Sequence, residues 1–291
     1  MARARDKVSP ASVGSPTASG MDLLPAGSQT PTAASRVGLL ALLRNPWILR
    51  GLGLVFLLSV WEAWSRSGRV DPTLVAGPSR IVSRVPRVLT HELYVESLLS
   101  TLDLLARGFF LSVAIGITLG VVVGRIRVLD RALTPYLNAL YAAPVPALAP
   151  ILTITIGFGL ASKLVVVVLV AVFPILINVQ AGVKATDEDL IEVGRSFGAN
   201  ERQIWTHIVL PFAVPFIGVG LRLGVARALI GTVVAEFYTS PDGLGFLILI
   251  FARRFDTASM MTPVLTYTVL GLLLVGAFTY LERRLSTWRV P

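Results

Sequence analysis

The stretch IEVGRSFGANERQIWTHIVLP, Ile191–Pro211, lies between two long apolar runs but carries charges, two glycines, a tryptophan and a closing Leu-Pro. With the residues just before it, the segment 184–211 reads as two short amphipathic helices. The first begins at Thr186 or Asp187, where Asp187, Glu188 and Asp189 favour the positive end of a helix dipole. Leu190, Val193, Gly194 and Phe197 recur on one side at helical spacing, and Gly198 is placed to stop the helix in a left-handed C-cap. Asn200 with Gln203 three positions on has the pattern of a capping box for the second helix. That helix aligns Ile204, Trp205, Ile208 and Val209 before Pro211 opens the next apolar run. Both helices are too short and too charged to cross a bilayer. One stripe can lie back on the chain's own helices; the other needs a partner.

Around this segment the chain has a membrane composition. Of its 291 residues, 54% are hydrophobic and 15% charged, against about 45–50% and about 25% in soluble domains. Six stretches of about 20 apolar residues qualify as spans, at 46–64, 98–124, 132–157, 161–183, 212–236 and 262–281. Backbone in lipid must satisfy its own hydrogen bonds, and the alternation of a barrel is absent, so the fold class is all-α integral membrane with six transmembrane helices. Residues 1–45, rich in Ala, Ser, Pro, Gly and Thr, read as a disordered tail without a secretory signal, and 46–291 as the transmembrane domain. The segment 66–87 contains Asp71-Pro72 and Gly77-Pro78 turns and leads into an interfacial helix expected around 79–95.

Orientation follows from the basic residues of the connections. With both termini cytoplasmic, that side holds fourteen Lys and Arg, including Arg3, Arg5, Lys7, Arg36, Arg44 and Arg289, against eight on the other. The net charge of +9 therefore flanks spans rather than serving nucleic acid. There is no cysteine, and His91 and His207 have no metal-binding spacing, so a thiolate, zinc or haem centre is not expected. No metal, cofactor or catalytic residues are assigned, and no GxxxxGK[ST] phosphate loop occurs.

Several features inside the spans point to a passage. Pro144, Pro146 and Pro150 crowd the third span, where each removes a backbone donor; such a helix is broken or kinked and lines a cavity, or is kinked for packing. Asp103 and Arg107 lie four apart and can pair. Arg222, Arg227 and Glu236 are costly charges that face a bundle interior or a cavity. Arg222 is near enough to the cytoplasmic end to snorkel, whereas Arg227 has no carboxylate at helical spacing. Pro144, Pro146, Asp103, Arg107, Arg222 and Arg227 are thus the pathway candidates. Glu62, between Trp61 and Trp64, reads as an interfacial anchor. The run Gly245–Phe251 is too short to span and suggests a re-entrant or surface helix.

Glu192, Gly198 six residues later, then Ile208-Val209-Leu210-Pro211 match the EAA-loop signature of ABC importer permeases, EAA-x3-G-x9-I-x-LP. The nine-residue spacer, Ala199–His207, is kept, while Val193 and Gly194 replace the two alanines. Gly220-Leu221-Arg222, Val233–Phe237, Gly243-Leu244-Gly245, Phe158–Lys163 and Phe173-Pro174 resemble the nitrate/sulfonate/taurine branch, and the resemblance covers roughly 46–291. It implies a type I ABC importer permease fold with a cytoplasmic two-helix coupling loop at 184–211, framed by Glu192, Val193, Gly194, Gly198, Ile208, Leu210 and Pro211. The implied partners are a cytoplasmic ABC ATPase carrying ATP and Mg, a periplasmic or lipid-anchored substrate-binding protein, a second permease copy and membrane lipid. The implied place is the bacterial cytoplasmic membrane, and the implied substrate a small solute, first a small anion such as a sulfonate, nitrate or taurine, with bicarbonate and some neutral vitamin precursors also open to the branch. A stand-alone secondary transporter or channel would instead need an internal repeat and coupling carboxylates, neither of which is evident. An intramembrane enzyme has no fitting constellation.

Overall fold

The computed structural model describes residues 46–71, 73–239 and 241–285. The 1–45 tail, Pro72 of the Asp71-Pro72 turn and Arg289 lie outside the described residues. By internal packing the chain divides into two units, Met1–Val55 and Phe56–Pro291. Of the first, the described part is helical from Pro46, the start of α1 (Pro46–Arg66). The second unit holds the rest of that helix and all the other described elements.

These are α2 (Pro78–Leu89), α3 (Glu92–Arg125), α4 (Arg127–Ala142), a 3-10 turn (Val145–Leu148) and α5 (Ala149–Ile156). Next come α6 (Leu160–Lys184), α7 (Glu188–Ser196), α8 (Glu201–Ile204), a π-turn (Trp205–Val209), α9 (Leu210–Tyr238), α10 (Leu244–Arg253) and α11 (Thr257–Leu285). Among the described residues five helices are long and apolar enough to span a membrane, and α4 with the 3-10 turn and α5 makes a sixth, broken span bent by 78°. The six-span reading therefore holds, with the third span broken at Pro144 and Pro146. Pro144 there has φ −75 and ψ 68, outside the helical region, so the helix ends at Ala142 and restarts.

The core is a three-helix slab with α6 in the middle, packed on α3 and α9. In α6, 61% of the apolar window is buried, against 6% in α11, so α6 is the buried helix and α11 lies at the margin. What permits the sandwich is glycine on both flanking helices. A Cβ at Gly108 of α3 would stand 2.4 Å from Val167 Cγ1, and one at Gly224 of α9 would stand 2.5 Å from Ile175 Cγ1. Val167 and Ile175, each 0% exposed, are thus enclosed from both sides.

The amphipathic helix expected around 79–95 ends earlier, at Leu89. Thr90 closes it by donating its amide to Pro86 O, and His91 starts a new helix by accepting the Leu93 amide on Nδ1 at 3.3 Å. Ile81 and Val88 face inward, while Arg80, Ser83 and Arg87 are exposed. Glu62 turns out to be the cap of α2. Its carboxylate accepts from Ser79 N (3.0 Å) and Ser79 Oγ (2.6 Å), while Arg66 Nε donates to it at 2.5 Å. Gly77, at the N-cap, leaves room for it: a Cβ there would be 2.8 Å from Glu62 Oε2.

Candidate coupling surface

The segment 184–211 is built almost entirely by local capping. Asp187 starts α7 by accepting the Asp189 amide at 2.9 Å. The helix stops where Gly198 N–H donates to Arg195 O (2.9 Å) and Ala199 N–H to Gly194 O (3.1 Å). This crossed pair is a Schellman motif, and it needs the left-handed residue that Gly198 supplies with φ +79. Asn200 and Gln203 then form both bonds of the capping box, each at 2.9 Å.

One expectation is corrected. The second short helix is not separate from the fifth span: α8, the π-turn and α9 run as one helix from Glu201 to Tyr238. Pro211 has no N–H to offer His207 O, and the amide before it, Leu210 N–H, reaches back five residues to Trp205 O. The wide turn replaces a break. It also puts both Ile204 (2% exposed) and Val209 (4%) on the buried side, against Val183 and Ala213.

The two apolar stripes therefore have different fates. The second lies on the chain's own core, and Gly194 meets it: a Cβ there would be 3.0 Å from Ile208 Cδ1. The first stays uncovered, with Leu190, Val193 and Phe197 all exposed and Phe197 at 88%. Glu192 is exposed and, with Arg125, Arg131, Arg195 and Glu201, lines a cavity of about 1130 Å³ between this segment and the α3–α4 turn. Ion pairs brace that cavity: Arg127–Glu188 at 2.5 Å, Arg195–Glu201 at 2.8 Å and Lys184–Asp130 at 2.8 Å. Arg125 also stacks 4.7 Å over the Trp205 ring. Leu210 is exposed, and Pro211 follows it into α9.

The pathway candidates separate into groups. Asp103 and Arg107 do pair, at 2.8 Å, on the exposed side of α3. Arg222 pairs with Glu282 of α11 at 3.3 Å. Arg227 is exposed and lies 5.6 Å from the ring centroid of Tyr141, three residues before Pro144. Arg227 and the proline break are thus brought together, while Arg222 is held by the last span.

Glu236 is where sequence reasoning fell short. It is 1% exposed at the far end of α9. Oε1 accepts from Thr101 Oγ1 of α3 (2.7 Å), and Oε2 from Tyr267 Oη of α11 (2.6 Å) and Gly245 N (2.6 Å). Thr101 Oγ1 in turn accepts the Leu244 amide at 2.9 Å. Beside this node Lys163, 3% exposed on α6, is ion-paired with Asp242. The visible signal was a glutamate inside a span followed by a Gly-Leu-Gly.

Comparison with known proteins gives the family of the chain. Residues 113–287 match the family described as binding-protein-dependent transport system inner membrane component. The formylaminopyrimidine transport permease protein ThiX of Halalkalibacterium halodurans is 33% identical over 237 residues, 81% of this chain and 94% of that protein. The riboflavin transport system permease protein RibX of Chloroflexus aurantiacus is 34% identical over 250 residues, 85% and 93% of the two chains. The taurine transport system permease protein TauC of Escherichia coli is 25% identical over 240 residues, 81% and 87%. Among solved structures, the inward-facing MetNI methionine ABC transporter superposes with a TM-score of 0.59 at 20% identity, over 67% of this chain and 96% of that one, which shows the shared fold. The chain belongs to the binding-protein-dependent transport system inner membrane component family and is an ABC importer permease.

Proposed function

We propose that the uncovered face of α7 is the docking surface for a separate ATPase, and that the chain works as one of two identical permease subunits. The carrying observation is the contrast within 184–211. A helix fixed by two caps presents Leu190, Val193 and Phe197 to solvent while the neighbouring stripe is buried. Exposed apolar patches of this kind mark interaction sites. The end carrying this surface is cytoplasmic, as are both termini, which agrees with the basic excess there. ATP and Mg belong to the partner ATPase, and a substrate-binding protein docks at the opposite end. A second copy is what the resemblance implies, six spans forming half a pathway; Ile151 and Ile154, exposed on α5, fit either that copy or lipid.

The substrate is a small solute with an anionic group, of sulfonate, nitrate or taurine type. This rests on Arg227 beside the Pro144–Pro146 break; the names of the relatives range over formylaminopyrimidine, riboflavin, aliphatic sulfonates and taurine. Calorimetry of the cognate binding protein against that panel, with uptake kinetics for Arg227→Ala, tests it; unchanged affinity and selectivity in the variant would remove the anionic assignment.

The docking surface is tested with Phe197→Asp. The side chain is 88% exposed, so folding stability should move by no more than about 0.5 kcal/mol. ATPase co-purification and ATP-driven uptake should both be lost. A variant that retains the ATPase and transports at the normal rate rules out this face.

A further inference from the structure

We propose that Glu236 is the positioning residue of α10, tying this short helix to the spans so that it moves with them. The step from positioning to transport rests on the reading above, in which a binding protein docks at this end. Two short helices, α2 and α10, lie at the end of the molecule away from the coupling loop, and both begin at a glycine packed against a carboxylate from a span. Glu62 caps α2 in this way at the surface. Glu236 does the same for α10 from a buried position.

Its geometry leaves little freedom. The carboxylate accepts the Gly245 amide directly and, through Thr101, secures the Leu244 amide, so two of the four free donors at the start of α10 are satisfied from α9 and α3. Tyr267 adds α11 to the node, and the Lys163–Asp242 pair holds the residue before Gly243 to α6. Gly243 has φ +89, and a Cβ on it would stand 2.2 Å from Glu236 Cδ. Three spans thus meet at one buried group, with α6 joined beside it through Lys163–Asp242, and what that group holds is the helix leading to the rim. α10 ends at Arg253 and Arg254, followed by Phe255, which is 65% exposed and held in the left-handed region at φ 55. That conformation ends α10: Phe255 N–H donates to Ala252 O and Asp256 N–H to Phe251 O, each at 3.0 Å, the crossed pair of a Schellman stop that sets Phe255 on the exposed rim.

The chain has no cysteine, so Leu247→Cys, at a site 3% exposed on α10, gives a single reporter thiol. The assembled complex with ATPase and binding protein, in lipid nanodiscs, is compared with Glu236, Glu236→Gln and Glu236→Ala in that background. With alanine, maleimide labelling of the thiol should quicken by about tenfold, the scale of losing a cap and its charge-assisted bonds. Binding-protein stimulation of ATP hydrolysis should fall toward the basal rate while the basal rate itself stays, because hydrolysis belongs to the partner at the other end. Glutamine keeps the shape and one acceptor oxygen and should restore most protection and stimulation. If the alanine variant does not assemble, Thr101→Val, which removes the Leu244 link at nearly constant volume, should give the same two changes. Wild-type labelling and full stimulation in an assembled Glu236→Ala or Thr101→Val complex would overturn the proposal. Absence of stimulation in the Glu236 parent would instead overturn the binding-protein reading, leaving the labelling comparison to decide the role of Glu236.

Discussion

Gly198→Ala isolates the backbone contribution to the coupling surface. Gly198 sits at φ +79, and nothing lies within 4 Å of where its Cβ would be, so alanine meets no clash within the chain. The cost is conformational: a left-handed L-residue is disfavoured by roughly 1–2 kcal/mol. That penalty falls on the two bonds that end α7, Gly198 N–H to Arg195 O and Ala199 N–H to Gly194 O. A change of 1–2 kcal/mol shifts a local equilibrium by a factor of roughly 5–30. Hydrogen exchange at the amides of Gly198 and Ala199 should therefore accelerate by about that factor in Gly198→Ala, and ATP-driven uptake should fall with it. Gly198→Asn provides the discriminating comparison. Asparagine is larger than alanine but tolerates the left-handed region better. Backbone control thus ranks the variants glycine, asparagine, alanine, in falling activity. The reverse order, with asparagine worse than alanine, would mean that partner contact rather than chain conformation fixes this position, and the reasoning would fail.

Gly108→Ala should destabilise the α3–α6 contact by about 1–3 kcal/mol through overpacking against Val167, and Val167→Ala in the same chain should recover part of it; thermal unfolding in detergent reads both. Arg222 and Glu282, which pair at 3.3 Å between α9 and α11, should be coupled, so that replacing both by Met and Leu costs less stability than the sum of the two single replacements. A double-variant cycle showing simple additivity would dispose of that claim. Phe255→Gly should relieve about 1–2 kcal/mol of left-handed cost and leave folding intact or improved. Binding-protein stimulation should nevertheless weaken in it, and equal stimulation would show that the exposed ring has no contact role.

What could be read from the sequence was what depends on neighbours along the chain. Asp187, Gly198 and the Asn200–Gln203 pair act within one turn of themselves, so their types and spacing were enough to place α7 and its stop. The six apolar runs were legible for the same reason. The break at Pro144–Pro146 was visible as missing donors, but its 78° angle was not, because the angle is set by what α4 and α5 pack against. The burial of Glu236 was legible, but the partners of the two glutamates that cap short helices were not, for a shared reason. Glu62 reaches Ser79, and Glu236 reaches Thr101 and Tyr267, 135 and 31 residues away. In one sequence a buried carboxylate shows only its cost, and its donors appear when the helices are packed. The π-turn was missed because Pro211 reads as the start of a new helix, although Ile204 and Val209 had already been placed on one stripe.

That turn gives the nine-residue spacer of the loop signature a physical meaning. From Gly198 the chain must start a capped helix, bury Ile204, bury Val209 and enter α9 without a break. Ile204 and Val209 are five apart, and five residues in an α-helix turn through about 500°, leaving the two some 140° out of line. A π-turn widens the helix at this point and brings both to the core. The result is one helix from Glu201 to Tyr238, with the capped loop just before its start and Glu236 near its end. At 1.5 Å per residue, Trp205 and Glu236 are about 47 Å apart along it. Between Gly220 and Gly231 this helix lies directly on α6, while Pro215 and the π-turn fall on the loop side of that contact. On the proposed reading a displacement at the capped loop travels to Glu236 along this one rod, with the π-turn and Pro215 as its two bending points. The same residue that ends the rod holds α10, so on the proposed reading the two faces of the permease are mechanically joined through a single helix of the fold.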